Sequence, residues 1–65
     1  MSDDEKFMTI RAMKQFGGSF VKSLADTWML GDEENRARIE CAFHEYMVKY
    51  GPCTAPYIAA ERAKP

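Results

Sequence analysis

Apolar residues fall in two stripes at helical spacing, separated by one stop-and-start signal. Phe20, Leu24 and Trp28 recur every four residues. Ile39, Phe43, Tyr46, Met47 and Tyr50 stand at i, i+4, i+7, i+8 and i+11, the spacing of one α-helical face. Between the stripes lies Gly31, a residue type that readily takes the left-handed conformation closing a helix. Asp32, a good N-cap, follows it. The pattern predicts an all-α fold built on an αα-hairpin. Its second helix spans about residues 33–50, with Glu33 and Glu34 opening it and Lys49 closing it, as the helix dipole favours.

Ahead of the first stripe, Ser2 and Glu5 have the form of a capping box, with Asp3 and Asp4 in the same turn. Phe7, Ile10, Met13 and then Phe16 or Gly17 continue at helical spacing. The pair Gly17-Gly18 admits two readings. A turn would give helices near 3–16 and 19–30, the second capped by Ser19. A single long, kinked helix is favoured instead, because Met13, Gly17, Phe20, Leu24 and Trp28 stay in phase across the pair. Two mid-helix glycines cost about 2 kcal/mol relative to alanine, but one on the buried face lets a packed helix approach closely. Gly51-Pro52 is a strong stop. In the tail, residues 52–65, Thr54 and Pro56 suit an N-cap and a first turn. Tyr57, Ile58, Ala59 and Ala60 then form a short third helix or a strap.

Sixty-five residues make one domain, 1–65. A chain of this size buries only about 60% of its unfolded surface and usually needs a staple: disulfides, a metal or another chain. Cys41 and Cys53 are the only cysteines. The amino end, Met-Ser-Asp-Asp-Glu, is acidic where a secretory signal is basic and apolar, so a cytoplasmic setting with two reduced thiols is expected. No apolar run approaches the ~20 residues that cross a bilayer. Net charge is −1, which points to neither nucleic acid nor an anionic membrane. Four Phe, three Tyr, one Trp and five Met argue for an ordered chain. Association is the staple that remains, and a homodimer is expected. Phe20, Leu24, Trp28, Ile39, Phe43, Tyr46, Met47 and Tyr50 are the expected core, shared between copies in a helical bundle.

Candidate chemistry is sparse. His44 is the only histidine, and with Cys41 it makes Cys-x-x-His on one helix turn. A zinc site needs three or four ligands and usually shows two paired motifs, so no metal and no other cofactor is expected. Gly17-Gly18-Ser19 is neither a nucleophile elbow nor a phosphate-binding loop. No catalytic residue is expected, and the chain reads as a non-enzyme. A helix–turn–helix reading would place Asp32, Glu33 and Glu34 where the recognition helix meets phosphate, and Arg36 and Arg38 lie about 200° apart on a helix. A small DNA-binding or transcriptional regulator is thus the weaker alternative. Partner-binding residues are those free of the core. Arg36, Glu40 and His44, at i, i+4 and i+8, share one helix side and stand first; Arg11, Gln15 and Lys22 on the first segment stand second.

The run Met13-Lys14-Gln15-Phe16-Gly17-Gly18-Ser19-Phe20-Val21-Lys22-Ser23-Leu24-Ala25, then Trp28, Asn35-Arg36-Ala37-Arg38-Ile39, Ala42-Phe43 and a closing Tyr50-Gly51, resembles a group of short bacteriophage and prophage proteins. The likeness covers about residues 13–51 and implies no active site. It implies a phage-encoded protein in the host bacterial cytoplasm. Proteins of that size and origin often bind a bacterial host protein as inhibitors, including antagonists of host defence.

Overall fold

The computed structural model describes residues 1–63, so the last two positions of the expected 52–65 tail lie outside it. Five helices follow one another: α1 (Asp3–Phe16), α2 (Ser19–Leu30), α3 (Glu33–Ala42), α4 (His44–Lys49) and α5 (Ala55–Arg62). The described residues contain no strand. None of the helices is long and apolar enough to cross a membrane.

Local chemistry starts these helices. Ser2 Oγ accepts from the Glu5 N–H and Glu5 Oε1 accepts from the Ser2 N–H, which completes the capping box. Asp32 accepts from the Asn35 N–H and Thr54 Oγ1 from the Tyr57 N–H, with Pro56 in the first turn of α5. Each satisfies donors that the first helical turn leaves unpaired.

The centre of the fold is α1. Met8, Thr9, Ile10, Ala12 and Met13 are all buried, an arc too wide for one neighbouring helix. Two neighbours cover it: α2 and α5 pack most extensively on α1, and α4 adds a smaller contact. Thr9 is fully buried and its hydroxyl donates to the Glu5 carbonyl 2.7 Å away, so the polar group is satisfied within the helix. Val21, Leu24, Ala25 and Trp28 come from α2, Met47 and Tyr50 from α4 and its cap, and Tyr57 and Ala60 from α5. The Cα radius of gyration is 10.6 Å. A globular domain of this length is expected at about 11 Å, so the chain is as compact as its size allows.

Four sequence expectations change. The first helix is broken, not kinked: Gly17 and Gly18 are both extended, and α2 folds back onto α1. A Cβ at Gly17 would run into the Val21 side chain and the Met13 carbonyl, so the reversal depends on glycine there. The helix expected over 33–50 is interrupted at Phe43, whose backbone (φ −116°, ψ 37°) leaves the helical region. That bend lets α4 reach α1 while α3 lies against α2. Gly31 closes α2 in an extended conformation, not a left-handed one. Phe20 is 56% exposed and does not belong to the core of the chain, because the buried arc of α2 is centred on Val21, Leu24, Ala25 and Trp28.

Candidate interaction surfaces

Arg36 and Glu40 fold inward instead of presenting a free face. The Arg36 guanidinium donates from Nε to the Trp28 carbonyl (2.9 Å) and from Nη2 to the Met29 carbonyl (3.0 Å). These carbonyls belong to the last turn of α2, where the Gly31 N–H also donates to the Trp28 carbonyl and the helix dipole favours a cation. The same guanidinium lies 4.2 Å from the Trp28 ring centroid and 5.4 Å from that of Phe7, and the two rings meet edge to face at 5.1 Å. Glu40 completes the clamp. Its Oε2 accepts from Trp28 Nε1 at 2.8 Å and its Oε1 pairs with Lys6 at 3.1 Å. Together with Asp3 and Glu33 these groups line a cleft of about 260 Å³. His44 is exposed, beyond the Phe43 bend, and does not line that cleft.

The second predicted set also divides. Arg11 and Gln15 line a groove of about 290 Å³ between α1 and α2, beside Lys14, Asp26 and Met29. Lys14 Nζ lies 2.7 Å from both Asp26 carboxylate oxygens, an exposed pair that ties the two helices at the rim. Lys22 is exposed but does not line this groove.

An aromatic ridge stands on the outside. Phe20 packs against Phe43 (ring centroids 5.8 Å apart) and Tyr46 (6.0 Å), with Phe43 and Tyr46 themselves 6.4 Å apart. Phe43 and Tyr46 are half-buried against the core, and Phe20 caps them from outside. Leu30, 88% exposed, and Ile39 line a shallow groove between α2 and α3. The Val21, Leu24, Ala25 and Trp28 spacing is the signal that distinguishes the buried arc of α2 from this outward one.

The fourth surface was not anticipated. Asp4, Glu5, Phe7, Met8 and Arg11 from α1 meet Tyr57 and Glu61 from α5 around a cleft of about 610 Å³. Burial, with Glu61, Glu5 and Asp4 nearby, pushes the Tyr57 phenol above its ordinary pKa. The Ser2 backbone N–H holds the Glu5 carboxyl below its own. No sequence pattern joins residues more than fifty positions apart, so only the return of α5 onto α1 makes this site.

Cys41 and Cys53 are exposed free thiols. Among the described residues no three His, Cys, Asp or Glu side chains are grouped to hold a metal ion. No family model, curated protein or solved structure matches the chain.

Proposed function

We propose that this chain is a non-enzymatic interaction protein that binds a bacterial host protein and inhibits it by covering its surface, as a host-defence antagonist would. The observation that carries this reading is the aromatic ridge of Phe20, Phe43 and Tyr46. A core is buried within one copy, and yet a large aromatic ring stays more than half exposed beside two others. Exposed aromatics of this kind act as anchors in interface centres, where apolar burial stabilises the complex and the polar rim adds orientation. The bacterial host comes from the resemblance to phage proteins. Self-association belongs to the same proposal, since a second copy would also cover the ridge. The DNA-binding alternative is less favoured, because Arg36 is committed to the carbonyls at the end of α2 and Lys6, Lys14 and Arg38 are paired with carboxylates, which leaves Arg11 and Lys22 of the cations it would use.

The test is affinity capture from a bacterial lysate with the parent chain and Phe20→Glu side by side, after sedimentation equilibrium of each. The parent should retain a defined host protein that the folded variant loses. Capture of the same protein in equal amount by the variant sinks the ridge as the contact. A parent that sediments as a monomer removes the homodimer and leaves the host contact standing.

A further inference from the structure

The last turn of α2 carries apolar surface that its own fold does not use. Leu30 is 88% exposed and Met29, just before it, 51%. The cation that suits this helix end comes from Arg36 of α3, so neither side chain has a local task there. Beside them runs the groove of about 290 Å³ between α1 and α2. Buried Ile10 and Ala25 give it an apolar floor, and Met29 is part of its wall. A lone exposed leucine needs no explanation, but one that adjoins an open groove with an apolar floor extends a patch.

Charges beside this knob and this hole are opposite in sign. Asp32, Glu33 and Glu34 follow Leu30 across Gly31. Asp32 is held in the α3 cap and Glu34 by Arg38, which leaves the exposed Glu33 without an ion pair among the described residues. At the groove, Lys14 is tied to Asp26, whereas the exposed Arg11 enters no ion pair among the described residues. A free carboxylate near the knob thus matches a free guanidinium at the hole, and such charge-assisted pairs give geometric specificity. A second copy of the chain supplies both the apolar side chain and the carboxylate that follows it. Knob and hole on one patch are also what a two-fold contact requires, because each protomer presents both halves and the pair closes on itself.

We propose that a second copy of this chain fills the α1–α2 groove. Leu30 of each protomer lies over Ile10 and Ala25 of the other, flanked by Met29, and Glu33 of each pairs with Arg11 of the other. The inference rests on the proposed self-association and places it off the aromatic ridge, which leaves Phe20, Phe43 and Tyr46 for the host protein. A contact of this extent is at the small end of specific interfaces, so it is weak and sensitive to salt.

The experiment follows the full chain by sedimentation equilibrium from micromolar to millimolar concentration, with concentration-dependent amide shifts in NMR to locate the contact. The parent should reach a dimer, with shifts at Arg11, Met29, Leu30 and Glu33 and none at Phe20 or Tyr46. Leu30→Ser, at a position with almost no packing to lose, should melt as the parent does at concentrations where both are monomers. It should weaken dimerisation by about a hundredfold, since a two-fold pair loses the side chain twice. Arg11→Glu and Glu33→Arg should each weaken it by about tenfold, and mixing the two should restore it, because opposite charges then meet at both contacts. Phe20→Glu should dimerise as the parent does. A parent that stays monomeric throughout overturns the proposal, as does a Leu30→Ser chain with parental dimerisation. So does a mixture of the charge variants that pairs no better than either alone. A dimer lost in Phe20→Glu and kept in Leu30→Ser puts the second copy on the ridge and rejects the groove. Leu30→Ser should still retain the host protein that Phe20→Glu loses. A monomeric parent that captures the host protein through Phe20 rejects the groove and retains the proposed function. A dimer broken by Leu30→Ser, with no host capture by the parent, does the reverse.

Discussion

Helices α2 and α3 attach to the same molecule by different physics. Of the twelve residues of α2, Val21, Leu24, Ala25 and Trp28 are buried, and its contact with α1 is extensive. The ten residues of α3 include none that is buried; it packs chiefly on α2 and α4 and reaches α1 through the side chains of Arg36 and Glu40. Beside the partly buried Ile39, what positions α3 is polar and directional: the Asp32 cap, Arg36 on the last carbonyls of α2, and Glu40 bridging Trp28 and Lys6. Apolar burial scales with area and tolerates small shifts, whereas these hydrogen bonds net roughly 0.5–3 kcal/mol each and exist only in one geometry. Therefore α3 is the helix expected to open first, and its orientation depends on very few side chains.

Trp28 belongs to both regions, so Trp28→Ala should have the largest effect. Emptying its site in the core and removing the platform under Arg36 should cost about 3–5 kcal/mol, read by chemical denaturation. A loss below 1 kcal/mol would mean that the ring is not shared as described. Gly17→Ala acts on the α1–α2 side alone. The added methyl meets Val21 and the Met13 carbonyl, and overpacking of this kind costs about 1–3 kcal/mol, which thermal melting would show.

Arg36→Ala separates the regions most directly. It should cost about 1–2 kcal/mol overall, given two hydrogen bonds from a charged group in a partly exposed site. Hydrogen exchange should quicken across residues 33–42 while Met8 to Met13 stay protected, and parental protection in α3 would refute the clamp. The smallest effect is expected at a position that touches neither attachment. Gly18 caps α2 without a side-chain hydrogen bond, and a Cβ there meets nothing within 4 Å. Gly18→Ser should therefore raise stability by about 0.5–1 kcal/mol, through a new cap and a less flexible unfolded chain. A lower melting temperature would show that Gly18, like Gly17, is needed for the reversal.

The helix starts were legible in the residues themselves. Ser2 with Glu5, Asp32, and Thr54 with Pro56 satisfy donors within three or four positions, so nothing distant can change their meaning. The same holds for the all-α class and for half of the apolar stripe, since Leu24, Trp28, Met47 and Tyr50 are buried, while Ile39, Phe43 and Tyr46 are partly so. Tertiary packing decided the rest. A stripe that stays in phase across Gly17-Gly18 is compatible with a straight helix or a reversal, and only the docking of Val21 onto α1 selects the reversal and leaves Phe20 outside. Arg36 and Glu40 share a helix side, as residues four apart must. Whether that side faces solvent or the end of α2 depends on the direction in which α3 leaves Gly31. The α1–α5 cleft lies furthest beyond any local reading. Its carboxylates come from opposite ends of the chain, and long-range contacts have no periodicity from which to be read.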